Sequence, residues 1–584
     1  MYNLYEKVAT QDGVTFIYDN HNSTFACDMD IAPGVKTVEI SMNLDMPYSY
    51  KCFSDVEKLI IKENVSTINV PNELFPNVRQ VKSQSKYFLS GSCLIGSYFI
   101  KKRLYILKNV FHCDKDETID LKRVSAIDNY AFRGCKCTNL INTEYIKTWN
   151  DVYANAFTGS AFMEQPFVNG VKMAGNIVLA VDDTADEVII PDDNKNVVFA
   201  RDVRLSNVKK MVIHKEDSLY NLSYETGLPI NLVLKINKPV LNVKALVDLI
   251  KEDGRPDDWR EFPRKHMEHH SSYVKHLSVL SPYYKEIDGI VYTSDMKTAV
   301  IMCNLDIEQI IIPEGVTHIS YQAFSQSQLK TIKLPDSLTE IGEKAFLYCN
   351  NLKFIILPNK VKCIKESAFE RSGLESITLN EGLEEIGAKA FCGCYITNIY
   401  IPATIKSIGE YFLDACTKPA KSASIFEITS PKFHEALIPI LVSEYHTESA
   451  ILKLNCAGKC AYIPLNTTKH SKKLLNKQAK NFFSDSEQKH CEFWNFARTL
   501  KGKEDIAFLE YKTFGSEKAK KYIRKNLTRF IDRLITYEND DKKAIELLES
   551  GFASQDTLKE AMSLAKTRRN NAIYKYTLKK LKNS

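Results

Sequence analysis

Five consecutive stretches decide the fold: IEQIIIPEGVTHISYQAF (307–324), LKTIKLPDSLTEIGEKAF (329–346), LKFIILPNKVKCIKESAF (352–369), LESITLNEGLEEIGAKAF (374–391) and ITNIYIPATIKSIGEYFL (396–413). Their phenylalanines, Phe324, Phe346, Phe369, Phe391 and Phe412, follow one another at intervals of 22, 23, 22 and 21 residues. A period held over five units marks a solenoid, in which each unit buries its apolar wall only against its neighbours. Within one unit, Ile332 and Leu334 are two apart and share the inner face of a short strand, while Thr331 and Lys333 point outward. Pro335 ends the strand because it cannot donate to a ladder. Leu338 and Ile341 form a second apolar pair on another wall, Gly342 relaxes the backbone, and Ala345-Phe346 plugs the core.

The pattern resembles the BspA-like class of leucine-rich repeats, whose units read approximately LxxIxLPxxLxxIGxxAFxxC. Fainter copies lie at Val56–Ile68, at Val124–Cys135 and at Val188–Pro191. The family also tends to open a run of repeats with a hairpin of the form DGxxY…T. Ile287–Val300 matches it, with partial versions at Asp12-Gly13 and Asn169-Gly170. The resemblance covers most of residues 1–416. It implies an α/β repeat solenoid, that is, a leucine-rich-repeat β-sheet solenoid, here followed by a C-terminal α-helical module.

Working outward, the expected organisation is a divergent repeat block at 1–214, a non-repeat insert at 215–284, and a regular repeat block at 285–417. A mixed hairpin and linker region at 418–484 and a basic helical module at 485–584 complete it. In the insert, Asn242–Gly254 predicts a short amphipathic helix with a glycine cap. Ile451–Asn466 predicts a β-hairpin about Cys456-Ala-Gly-Lys-Cys460. Ile523, Leu527, Phe530, Ile531 and Leu534 keep helical spacing, Lys543–Ser550 predicts a helix ended by Gly551, and Asn570–Leu581 another. Thr557 and Glu560 are spaced as a capping box. The stretch 541–582 is similar to a degenerate ankyrin-type helical pair.

The 584 residues carry 78 Lys and Arg against 72 Asp and Glu, with 44% hydrophobic residues, near globular averages that exclude fibrous and wholly disordered classes. Residues 418–584 hold 32 Lys and Arg against 19 Asp and Glu, so the tail is basic and the rest acidic. No apolar run approaches the ~18 residues of a membrane span. The first thirty residues, with Glu6, Asp12, Asp19, Asp28 and Asp30, read as lacking a secretory signal. The fifteen cysteines, with close pairs Cys135/Cys137, Cys392/Cys394 and Cys456/Cys460, are expected to be reduced and mostly buried, in the cytoplasm. Cys135, Cys349 and Cys416 fall after the phenylalanines of their repeats, where a small buried residue packs.

The candidate working surface is the outward row of the five strands: Gln309/Ile311, Thr331/Lys333, Phe354/Ile356, Ser376/Thr378 and Asn398/Tyr400. Phe354, Ile356 and Tyr400 are apolar or aromatic where solvation favours polar groups, as interface anchors are. The expected function is non-catalytic recognition of a protein partner by a scaffold or sensor. Two alternatives are a surface adhesin and nucleic-acid or anionic-surface binding through Lys521, Lys525, Arg529 and Arg533. His266, His269, His270 and His276 read as a solvated cluster, since HMEHH does not spell a metalloprotease helix. No nucleotide-binding or hydrolase signature is present, so no enzyme activity, cofactor or metal is expected.

Overall fold

The computed structural model describes the chain except for residues 1–4, 20–21, 48, 100–102, 112, 192–196, 223–226, 242, 245, 247–273, 275, 305, 414–424, 443–449, 486–490 and 584. Most of the helix expected at Asn242–Gly254 and the histidines His266, His269 and His270 lie outside the described residues. His276 opens an exposed strand end. Two compact units divide the chain, residues 1–294 and 295–584.

The first unit is built of short parallel strands separated by about one repeat. Thr37–Ile40, Lys58–Ile61 and Gln80–Ser83 pair in parallel, with Val38, Leu59 and Val81 in register and buried. Between 215 and 284, where the sequence pattern fades, Asn231–Lys235 pairs in parallel with Lys210–Ile213 on one side and His276–Leu280 on the other. These strands carry the inward alternation of Leu232 and Leu234, then Leu277 and Val279, without the proline and phenylalanine that punctuate the regular units. Three hairpins turn at Asp12-Gly13, Asn169-Gly170 and Asp288-Gly289. Each turn has both residues at positive φ, the backbone of a type I′ turn that matches strand twist.

In the second unit the repeats stack into two walls of short parallel strands. One comprises Thr298–Met302, His318–Ile319, Glu340–Ile341, Cys363–Ile364, Glu385–Ile386 and Ser407–Ile408. The other wall carries β1 (Gln309–Ile311), β2 (Thr331–Lys333), β3 (Phe354–Ile356), β4 (Ser376–Thr378) and β5 (Asn398–Tyr400), with β1 paired to β2 and β3 to β4 as separate short sheets. Phe324, Phe346, Phe369, Phe391 and Phe412 are fully buried between the walls. The first four stack ring on ring at centroid distances of 5.2, 4.9 and 5.6 Å. Gly342 has a different role from the one its sequence position suggested. A Cβ there would lie 2.4 Å from the Ile319 carbonyl oxygen, and one at Gly409 would lie 2.1 Å from the Ala388 nitrogen. These glycines let one coil's backbone settle directly on the next, and none has positive φ.

The second wall continues past the repeats in the sheet that begins at β5. β6 (Ile425–Ser430) pairs in parallel with β5, β7 (Ile451–Cys456) with β6, and β8 (Lys459–Pro464) turns back on β7 through Ala457-Gly458. The helices follow: α1 (Lys469–Ser484), α2 (Leu500–Phe514), α3 (Glu517–Arg533), α4 (Asp541–Glu549), α5 (Gln555–Thr567) and α6 (Asn571–Asn583). Ile523, Leu527, Phe530 and Ile531 of α3 are buried as their spacing requires. The cap of α5 is Ser554, whose hydroxyl accepts from the Thr557 amide at 3.2 Å, so Thr557 lies inside the helix and the Thr557/Glu560 box does not form. Three helices, rather than a pair, occupy 541–582.

Candidate functional site

β1 to β5 are three residues long, and in four of them the middle residue is buried and the flanking two face out. In β2 the middle residue, Ile332, is half-buried. This follows from the period-2 alternation of a strand against a core on one side only. Parallel register then sets the outward residues in two rows. Gln309 stands beside Thr331, Phe354 beside Ser376 and Asn398 beside Glu427. In the second row Ile311 stands beside Lys333, Ile356 beside Thr378 and Tyr400 beside Thr429. All ten residues expected on this surface are exposed, and no described part of the unit covers them. Ile311, Phe354 and Ile356 retain 69%, 57% and 70% of their accessible surface. Holding such side chains in water forgoes roughly 1.5–3 kcal/mol each, the gain available from burying them.

The wall has polar borders. Lys330 pairs with Glu308 at 2.7 Å and Lys353 with Glu375 at 3.4 Å just ahead of the strands. The Tyr400 hydroxyl donates to Glu381 Oε1 at 2.6 Å, and that carboxylate, with a smaller contribution from burial, holds the phenol above its ordinary pKa. Beyond β5, Glu427 Oε1 accepts from Lys453 Nζ at 2.9 Å and from Asn455 Nδ2 at 2.6 Å. The Lys453 ammonium holds the Glu427 carboxyl below the usual range. Glu427, Thr429, Lys453 and Asn455 therefore extend both rows. The repeat pattern stops at residue 416 and hid them, yet the alternation in Phe426-Glu-Ile-Thr429 and Leu452-Lys-Leu-Asn455 carried the signal.

The helical module ends the wall. Ile451 and Tyr462 belong to the same outward face, and both are buried in one core with Trp494, Ala497, Ile506, Phe508 and Ile523. The Tyr462 hydroxyl shares a hydrogen bond with Thr513 Oγ1 of α2 at 2.9 Å. The helices thus cover the face at β7 and β8 and leave β1 to β5 open.

The basic stripe of α3 divides into two halves. Lys521 and Lys525 are exposed. Arg529 Nε donates to Glu504 Oε1 at 2.8 Å, and Arg533 bonds Glu504 Oε2 at 2.8 Å, Asp505 Oδ1 at 3.0 Å and Glu538. Glu504 and Asp505 are both 1% exposed, and Lys543 and Lys501 complete the network on Asp505 at 2.7 and 3.1 Å. Two of the four cations expected to meet a polyanion are structural. Their every-fourth-residue spacing drifts about 40° per step around a helix, which carries its C-terminal half toward α2.

Residues 47–164 and 299–419 match the family model of the BspA type leucine rich repeat region, in six copies. Among solved structures the chain is similar to the pneumococcal vaccine antigen PcpA, at 14% identity over 81% of this chain and 96% of that one, with a TM-score of 0.27. A leucine rich cell surface protein from Faecalibacterium prausnitzii matches at 14% identity over 79% and 94%, TM-score 0.23. A leucine rich repeat protein from T. pallidum matches at 19% identity over 30% and 79%, TM-score 0.23. No curated protein matches the chain. No helix among the described residues is long and apolar enough to cross a membrane.

Proposed function

Because residues 47–164 and 299–419 are BspA-type leucine-rich repeats, we propose that this chain is a non-catalytic recognition protein that grips an extended protein segment along β1 to β5. The observation that supports this reading is the exposed set Ile311, Phe354 and Ile356 on a wall whose far end is closed by the chain's own helices. A segment lying along the rows would pair apolar side chains with that set and polar ones with Gln309, Ser376, Asn398 and the Glu427–Lys453 pair. The helical module acts as an end stop and second contact. The reading takes the chain as cytoplasmic, in keeping with fourteen described cysteines that form no disulfide.

Crosslinking and affinity capture from native lysate test it, comparing the full chain with Phe354→Asp/Ile356→Asp and with a control pair on the other ladder, His318→Asp/Glu340→Gln. The expected result is one partner set lost with the first variant and kept with the control, while circular dichroism stays unchanged for both. Capture that survives Phe354→Asp/Ile356→Asp removes the wall as the site, and recovery of the chain outside fractionated cells removes the cytoplasmic assignment.

A further inference from the structure

In the first unit, three cysteines share one buried spot. Each of the Cys113, Cys135 and Cys137 sulfurs lies within 4.8 Å of the other two, and the residues are 6%, 2% and 0% exposed. The repeat explains how they meet. Cys135 follows Phe132 by three residues, as Cys349 follows Phe346 and Cys394 follows Phe391. In those other coils the cysteine's neighbour one coil earlier is a serine: Ser327 lies 3.4 Å from Cys349 Sγ and Ser372 3.3 Å from Cys394 Sγ. Each of those thiols donates to the preceding coil's phenylalanine carbonyl, at 2.9 and 3.0 Å.

Around Cys135 that arrangement is replaced. The neighbour 22 residues earlier is Cys113, whose carbonyl accepts from the Lys136 amide at 3.2 Å, just as the Cys349 carbonyl accepts from Gly373 one coil later in its own stack. The position two residues beyond the small residue is Leu329, Leu374 or Ile396 in regular coils, all fully buried, and here it is Cys137. Vertical stacking at roughly 4.8 Å per coil supplies two thiols, and a cysteine in place of a core aliphatic supplies the third. Cys135 Sγ donates to the Cys137 carbonyl and Cys137 Sγ to the Asn139 carbonyl, each at a long 3.6 Å.

We propose that Cys113, Cys135 and Cys137 form a trithiolate site for a thiophilic d10 metal ion, Zn2+ or Cu+. Soft thiolates select these ions, and metal–sulfur bonds of about 2.3 Å place ligand sulfurs about 3.8–4 Å apart, a small side-chain rotation from the spacing present. Cys93, a partly buried thiol of the same unit, is the further sulfur that the test below includes. Binding breaks three S–H bonds, forms three metal–sulfur bonds and releases the three protons to solvent, with no change of oxidation state.

The test uses the full chain, purified anaerobically with a phosphine reductant, loaded with Zn2+ or with Cu+ in separate arms and desalted. The expected result is about one metal ion per chain in wild type, a sulfur-to-cobalt charge-transfer band after Co2+ exchange, and a melting temperature raised by the metal. Cys113→Ser, Cys135→Ser and the triple serine variant should lose all three signals. The fold accepts serine at the Cys113 and Cys135 places, as Ser327, Ser372 and Ser160 show, and Cys349→Ser/Cys394→Ser serves as the control that keeps the signals. Loss of zinc but not copper on Cys93→Ser identifies a four-sulfur zinc centre, and retention of both identifies a three-sulfur one; each upholds the site. Equal metal content and equal melting shift in wild type and the triple variant, or no retained metal in either arm, overturns the proposal.

Discussion

Phe346 and Phe354 are eight residues apart in adjoining repeats and are assigned opposite fates, so alanine at each position measures the architecture directly. Phe346 is fully buried, with Phe324 stacked at 5.2 Å on one side and Phe369 at 4.9 Å on the other. Truncating a buried phenylalanine costs about 3–5 kcal/mol in lost transfer energy and residual cavity. Removing a ring sandwiched on both faces belongs at the upper end of that range, since each stacked pair adds ~0.5–1.5 kcal/mol. Phe354 is 57% exposed, so its truncation should stay within about 0.5 kcal/mol. A stacked array opens locally, and hydrogen exchange by mass spectrometry on peptides spanning 338–395 resolves the cost where it falls. Phe346→Ala should raise exchange there by about 10^2 to 10^3.5-fold, the stated energies converted at 1.4 kcal/mol per decade. Phe354→Ala should change exchange by less than about threefold. Equal deprotection by the two substitutions, or none by the first, would refute the stacked-coil account and the wall with it.

Two further outcomes concern the helical module. Arg533→Ala should destabilise it by about 3–5 kcal/mol in denaturant titration, because Glu504 and Asp505 would remain buried with fewer cations; a change below 1 kcal/mol would show the network to be dispensable. Glu510 is buried in α2, and burial raises its carboxyl to about 7. The folded state therefore holds a proton that the unfolded chain has released, so stability should fall as pH rises from about 4.5 to above 7, by up to about 3 kcal/mol. Glu510→Gln should flatten that slope, and an unchanged pH profile would show that Glu510 does not govern it.

The repeat, its two walls and the outward rows at Gln309 through Tyr400 were legible in the sequence. Strand alternation and a 21–23-residue period are local properties, and a side chain's inward or outward direction follows from them. The Asp-Gly and Asn-Gly hairpins were legible for the same reason, because positive φ at two successive positions selects those residues. The strands at 231–235 and 276–280 were harder to see, since their ladder is carried by backbone hydrogen bonds and lacks the proline and phenylalanine markers. Gly342 was misread because its small size serves a neighbouring coil, which local sequence does not display.

What the sequence determined alone is therefore the coil and the face each residue takes within it. Only the tertiary structure decided which faces stay open and which charges are spent. The helices bury Ile451 and Tyr462 while sparing Phe354, Arg529 and Arg533 turn to Glu504 and Asp505, and Cys113 meets Cys135 and Cys137. Each of these depends on groups distant along the chain arriving at one point. Distances of that kind are set by how coils and helices pack, and no periodicity within a single segment encodes them.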